Sequence, residues 1–192
     1  MRGALVVVVL ALLGGGCGGR ETEARPAGAP ATLGFGRPAT ADEIKAWDID
    51  VMPDGTGLPP GSGSPAQGAV LYERKCAACH GKTGTEGPAD RLVAREPRQG
   101  FPFGRDPSLV KTIGNYWPYA TTLYDYVNRA MPLNAPGSLA PDEVYSLVAF
   151  LLWRNEIIAS TAVMNAQTLP RVVMPAHDRF VLDNRRGGPE IR

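Results

Sequence analysis

Cys76-Ala77-Ala78-Cys79-His80 is the stretch that most constrains this chain of 192 residues. Two thiols at this spacing can add across the two vinyl groups of a haem, and the histidine beside the second thiol then meets the iron from the same side. The pattern C-x-x-C-H reads as a covalent haem attachment site, with Cys76 and Cys79 bonded to the haem and His80 on the iron. It occurs once, so one haem is expected. Two other uses of these residues fit less well. A structural zinc site wants four ligands, and of three cysteines and two histidines only Cys17 and His177 are left over. A thioredoxin-like redox pair wants C-x-x-C to open a helix after a buried strand. No strand-like run precedes Cys76.

A covalently held haem brings its own apolar bulk, which matters because this chain has modest means to build a core. Gly 23 and Pro 18 make about a fifth of it, and a loop-rich fold follows. Lys+Arg 20 against Asp+Glu 19 leaves almost no net charge, so nothing points to nucleic acid as a partner.

The ends carry different information. Arg2, the apolar run from Ala4 to Leu13 and Gly14-Gly15-Gly16 have the form of an export signal over residues 1–16. Ten apolar residues are too few to span a bilayer of about 30 Å. Cys17, directly after the small residues, resembles a lipobox cysteine. The expected outcome is a lipidated Cys17 and an exported protein anchored on the periplasmic side of a membrane. Ordinary cleavage near Gly16 to Gly19, releasing a periplasmic protein, is the alternative. Residues 17–35 lack an apolar period and read as a tether. Residues 36–64 form an arm: Thr40-Ala-Asp-Glu43 is a capping box for a short helix, and turn signals follow at Pro53-Asp-Gly55 and Pro59-Pro-Gly61. Trp47, Ile49, Val51 and Leu58 want cover, so the arm is expected to pack on the next segment.

That segment, residues 65–155, is the haem domain. Ser64 as cap and Pro65 at the first position start a helix to about Lys75. Gly68 within it costs about 1 kcal/mol against alanine, which makes sense where another helix crosses. The partner is Asp142 to Arg154, with Val144, Leu147, Val148, Leu151 and Leu152 as its stripe and Phe150 as the residue to lie over Gly68. A further helix, Thr121 to Arg129, leads into Met131-Pro132. Among five methionines, Met131 is the one placed by a helix end and a proline, which suits a sulfur ligand to iron. Met164, Met174 and, less so, His177 and Met52 are the rivals.

Taken together, the helix with Gly68 and Tyr72, the Cys76–His80 motif and Met131-Pro132 before a last helix resemble the class I cytochromes c. The resemblance covers about 65–155. It implies a small all-α fold, one haem c, His80 and Met131 as axial ligands, and single-electron transfer rather than catalysis, since no iron position stays open. It also implies that the Pro88 carbonyl of Gly87-Pro88 accepts the His80 Nδ1–H. Trp117 and Tyr119 would pack round the porphyrin or donate to a haem propionate.

Residues 156–192 have apolar residues without helical period and read as an extended strap. Arg171, Arg179, Arg185, Arg186 and Arg192 make it basic, a docking patch for an acidic partner or a solvated end. Trp47-Asp-Ile-Asp, Gly57-Leu-Pro-Pro-Gly-Ser-Gly, Asn115-Tyr-Trp-Pro-Tyr-Ala-Thr-Thr-Leu-Tyr-Asp-Tyr and Val163-Met-Asn-Ala-Gln-Thr-Leu-Pro are similar to the cytochrome subunits of sulfur-oxidising systems. These are the SoxD-type sulfur dehydrogenase subunit and the cytochromes that partner sulfite-oxidising molybdoenzymes. The implied partners are a molybdenum sulfite or sulfur dehydrogenase subunit and another cytochrome or a terminal oxidase. A carrier in some other respiratory chain, a haem sensor or enzyme with a displaceable distal ligand, and a lipoprotein without redox role are the competing expectations.

Overall fold

The computed structural model describes residues 35–181; the signal-like segment, Cys17 and the arginines at 185, 186 and 192 lie outside the described residues. The chain divides into two units, 1–40 and 41–192. Of the first, the described part is 35–40, without regular structure.

The second unit is built on two crossed helices. Helix α2 (Pro65–Lys75) starts as its sequence requires. The Gln67 N–H donates to Ser64 Oγ at 3.5 Å and the Ser64 N–H to Gln67 Oε1 at 3.0 Å. Two orphan amides are satisfied reciprocally. Helix α5 (Pro141–Arg154) buries every residue from Val144 to Leu152. The expected apolar stripe is thus a helix enclosed on all sides, and Tyr145, Ser146 and Ala149, outside the stripe, are also buried. The reason is tertiary: α2, the helix Ala120–Ala130 and both short strands of the fold pack against it.

The crossing point is Ser146. A Cβ added at Gly68 would sit 2.6 Å from Phe150 Cβ and closer still to the Ser146 carbonyl. Glycine there is a packing requirement, and Phe150 lies over it as expected. The Phe150 ring also meets Tyr72 at 5.0 Å. Lys75 pairs with Glu143 at 3.2 Å, joining the end of α2 to the start of α5.

Helix α4 (Ala120–Ala130) is one residue longer at each end than its pattern predicted. Leu123, Tyr124 and Val127 turn into the core with Ile113 and the α5 residues. Met131 closes it, its N–H donating to the Val127 carbonyl at 3.2 Å.

The arm behaves in two ways. Residues 51–62 are stitched to α4 and α5 by four hydrogen bonds. Asp125 Oδ1 accepts from the Val51 N–H at 2.9 Å, and Thr121 Oγ1 donates to the Pro53 carbonyl at 2.9 Å. The Tyr145 hydroxyl donates to the Pro59 carbonyl at 2.9 Å, and Asp142 Oδ1 accepts from the Ser62 N–H at 2.7 Å. Its helix α1 (Ala41–Trp47), by contrast, buries nothing. Trp47 is 88% exposed, and Ile44 and Ile49 are exposed too. The expectation that Trp47 and Ile49 find cover is corrected: Val51 is buried and Leu58 half-buried, and the cover ends there.

The described part of the strap, 156–181, contains short regular elements. Strand β2 (Met164–Asn165) pairs antiparallel with β1 (Ser62–Gly63), and 3-10 turns follow at Leu169–Arg171 and His177–Arg179. Leu169, Met174, Ala176 and Met164 are buried. The fold is all-α apart from this two-residue ladder. Among the described residues no helix is long and apolar enough to cross a membrane.

Candidate functional site

The end of α2 delivers the motif. Cys76 caps that helix, its N–H donating to the Tyr72 carbonyl, and a second turn, α3 (Ala77–His80), starts from it. The Cys79 and His80 amides both donate to the Cys76 carbonyl, at 3.1 and 3.0 Å. Both thiols and the imidazole therefore sit on one tight turn. Cys76 and Cys79 form no disulfide with each other. Burial pushes the Cys76 thiol up to about 11. That is a neutral thiol, the opposite of the low-pKa thiolate that a redox C-x-x-C needs.

His80 is oriented by the following loop. Its Nδ1 lies 2.7 Å from the Asp90 carbonyl, which fixes the proton on Nδ1 and leaves Nε2 with a lone pair for a metal. The acceptor is Asp90, so the role expected of Pro88 belongs to a residue two further on, and Pro88 is exposed. The Gly87-Pro88 turn acts instead by close approach. A Cβ on Gly87 would lie 2.5 Å from the His80 carbonyl carbon and the Gly81 nitrogen, and nearer still to the Cys79 carbonyl oxygen. Only glycine lets the loop turn back so tightly under the motif, and the Ala89 N–H then donates to that same carbonyl at 2.9 Å.

Asn155, at the end of α5, holds the loop from the other side. Its Oδ1 accepts from the Ala94 N–H at 3.2 Å, and its Nδ2 donates to the Leu92 and Leu151 carbonyls at 3.2 and 2.9 Å. Thr112 Oγ1 donates to the Ala94 carbonyl, and Asn115 Nδ2 to those of Glu96 and Val110. These three buried polar residues are the part of the site that sequence reasoning missed. A hint existed in Asn155, an amide placed directly after an apolar helix.

Cys76, Ala77, Leu92, Trp117, Met131 and Trp153 are each half-buried against one apolar core. Apolar side chains with one face on protein and the other open are what a haem would cover. Met131 has that open side. Met164 and Met174 are enclosed by protein at 5% and 1% exposure, and Met52 lies half-exposed on the arm. His177 rests with its ring 5.1 Å from Tyr119 and its Nδ1 2.8 Å from Asp178. Trp117 meets Tyr126 edge-on at 5.8 Å. Its indole N–H donates to no protein group among the described residues. The donor set of two thiols, one oriented imidazole and one thioether fits a haem c.

Comparison with known proteins decides the family. Residues 63–151 match the family described as cytochrome c oxidase, cbb3-type, subunit III. A chain in the crystal structure of the sulfane dehydrogenase SoxCD from Paracoccus pantotrophus superposes with a TM-score of 0.69 at 41% identity, over 80% of this chain and 74% of that one. The chain belongs to the class I c-type cytochromes. No curated sequence matches this cytochrome. With a cytochrome c domain and a similar chain in the sulfane dehydrogenase SoxCD, it is an electron-transfer protein.

Proposed function

We propose that this cytochrome takes single electrons from a molybdenum-containing sulfur or sulfite dehydrogenase and passes them to another cytochrome or a terminal oxidase. The observation that carries the reading is the 41% identity to a chain of a sulfane dehydrogenase across four-fifths of the protein. It works outside the cytoplasm, bound to the membrane through a lipid on Cys17, and carries a single haem. When bound, the haem supplies the one-electron couple. Cys76 and Cys79 hold it covalently, so it stays in place in both oxidation states. His80 offers Nε2 to the iron while the Asp90 carbonyl keeps the ring from turning. Met131 offers its thioether from the end of α4, and sulfur favours the reduced state, raising the potential. Trp117 and Tyr119 would pack against the porphyrin or donate to a propionate, for which the indole N–H is available.

Stopped-flow mixing of the oxidised holoprotein with its reduced dehydrogenase partner tests the role. Haem reduction that saturates with partner concentration is expected, and no reduction on a catalytic timescale overturns it. Met131→Ala tests the ligand. The long-wavelength sulfur–iron band of the oxidised protein should vanish and the potential fall by on the order of 0.2 V, within the roughly 0.8 V that axial ligands span. A band that survives the substitution removes Met131 from the iron.

A further inference from the structure

Three arginines from two distant stretches open onto one pocket. Arg95 and Arg98 belong to the loop after the haem motif and Arg179 to the strap, with Phe101, Gly114 and Pro175 completing the wall. Among the described residues no carboxylate lines it. The nearby acids account for part of this charge. Arg95 Nη1 donates to the Glu156 carbonyl at 3.0 Å and stands 3.8 Å from its carboxylate. Arg98 meets the same carboxylate at 3.3 Å and Glu96 at 2.9 Å. Two carboxylates against three guanidiniums leave one positive charge.

Two sets of donors are also left over. Arg95 Nε has no acceptor among the described residues, though protein encloses it, so the ion would meet the outer nitrogens of this fork. The Arg179 guanidinium has no partner among the described residues. Guanidinium forks are shaped for two oxygens of one anion. We propose that this pocket binds a small tetrahedral oxyanion, of the sulfate or phosphate class, between Arg95, Arg98 and Arg179. The bound ion ties the strap to the loop that orients His80.

Calorimetric titration of the holoprotein with sodium sulfate, at ionic strength held constant with sodium chloride, tests this. Sulfate also stabilises proteins by exclusion from their surface, so the comparison is with Arg179→Ala, which leaves Arg95 and Arg98 with their glutamates, and with Arg98→Ala. The expected result is saturable binding of one ion, at least tenfold weaker in both variants, with phosphate competing for the same site. Absence of saturable heat overturns the proposal, including the case in which a haem carboxylate already fills the pocket. Equal affinity in the variants, or equal binding of chloride, overturns it as well.

Discussion

His80 shows how little of a site one residue carries alone: one ring nitrogen is committed to a backbone carbonyl, which leaves the other with its lone pair. The same loop contains a second oriented group, Glu86. Its carboxylate accepts from the hydroxyls and amides of Thr83 and Thr85. These bonds, those from Thr83 foremost, lower its pKa from 4.5 to about 2. A carboxylate whose pKa drops on folding stabilises fully above its unfolded value and loses that contribution as pH falls through its folded one. Glu86→Gln should therefore lower the unfolding midpoint by a constant amount at neutral pH. The difference should shrink below pH 4.5 and vanish near pH 2. Unfolding curves of both proteins across that range check it, and a difference that grows on acidification refutes the assignment.

Among the elements, α2 and α1 make opposite predictions from similar-looking substitutions. Gly68→Ala gains about 1 kcal/mol of helix propensity but places a methyl against the Ser146 carbonyl and Phe150. Overpacking at a closed crossing costs about 1–3 kcal/mol or more, and the contact is with backbone, so the cost wins. A net loss of up to about 2 kcal/mol is expected in denaturant unfolding. Trp47→Ala removes the largest side chain of α1, yet at 88% exposure it should change stability by under about 0.5 kcal/mol. The first contrast was legible in advance, because a glycine inside an apolar helix demands a crossing partner. The second was not. Burial of Trp47 depends on whether any surface lies opposite it, and the four hydrogen bonds that anchor 51–62 stop short of the helix.

At the scale of the whole molecule, the strap is part of the core. Met164, Leu169 and Met174 together contribute about 5–9 kcal/mol of burial, at roughly 1.5–3 kcal/mol each. That rivals the total stability of a domain, about 5–15 kcal/mol. A chain ending before residue 163 should lose its cooperative thermal transition; one that melts like the full protein would show the strap to be dispensable. The sequence by itself determined the C-x-x-C-H motif, the helices and the crossing at Gly68. Thiol spacing, caps and apolar periods are local properties, and each names its residues. The tertiary structure alone decided that Asp90 rather than Pro88 faces His80, since a backbone carbonyl has no side-chain signature. It also decided that Asn155 locks the loop, that α1 stays uncovered and that the strap's aperiodic apolar residues fill the core. Those outcomes depend on which surfaces meet, and distance along the chain does not encode that.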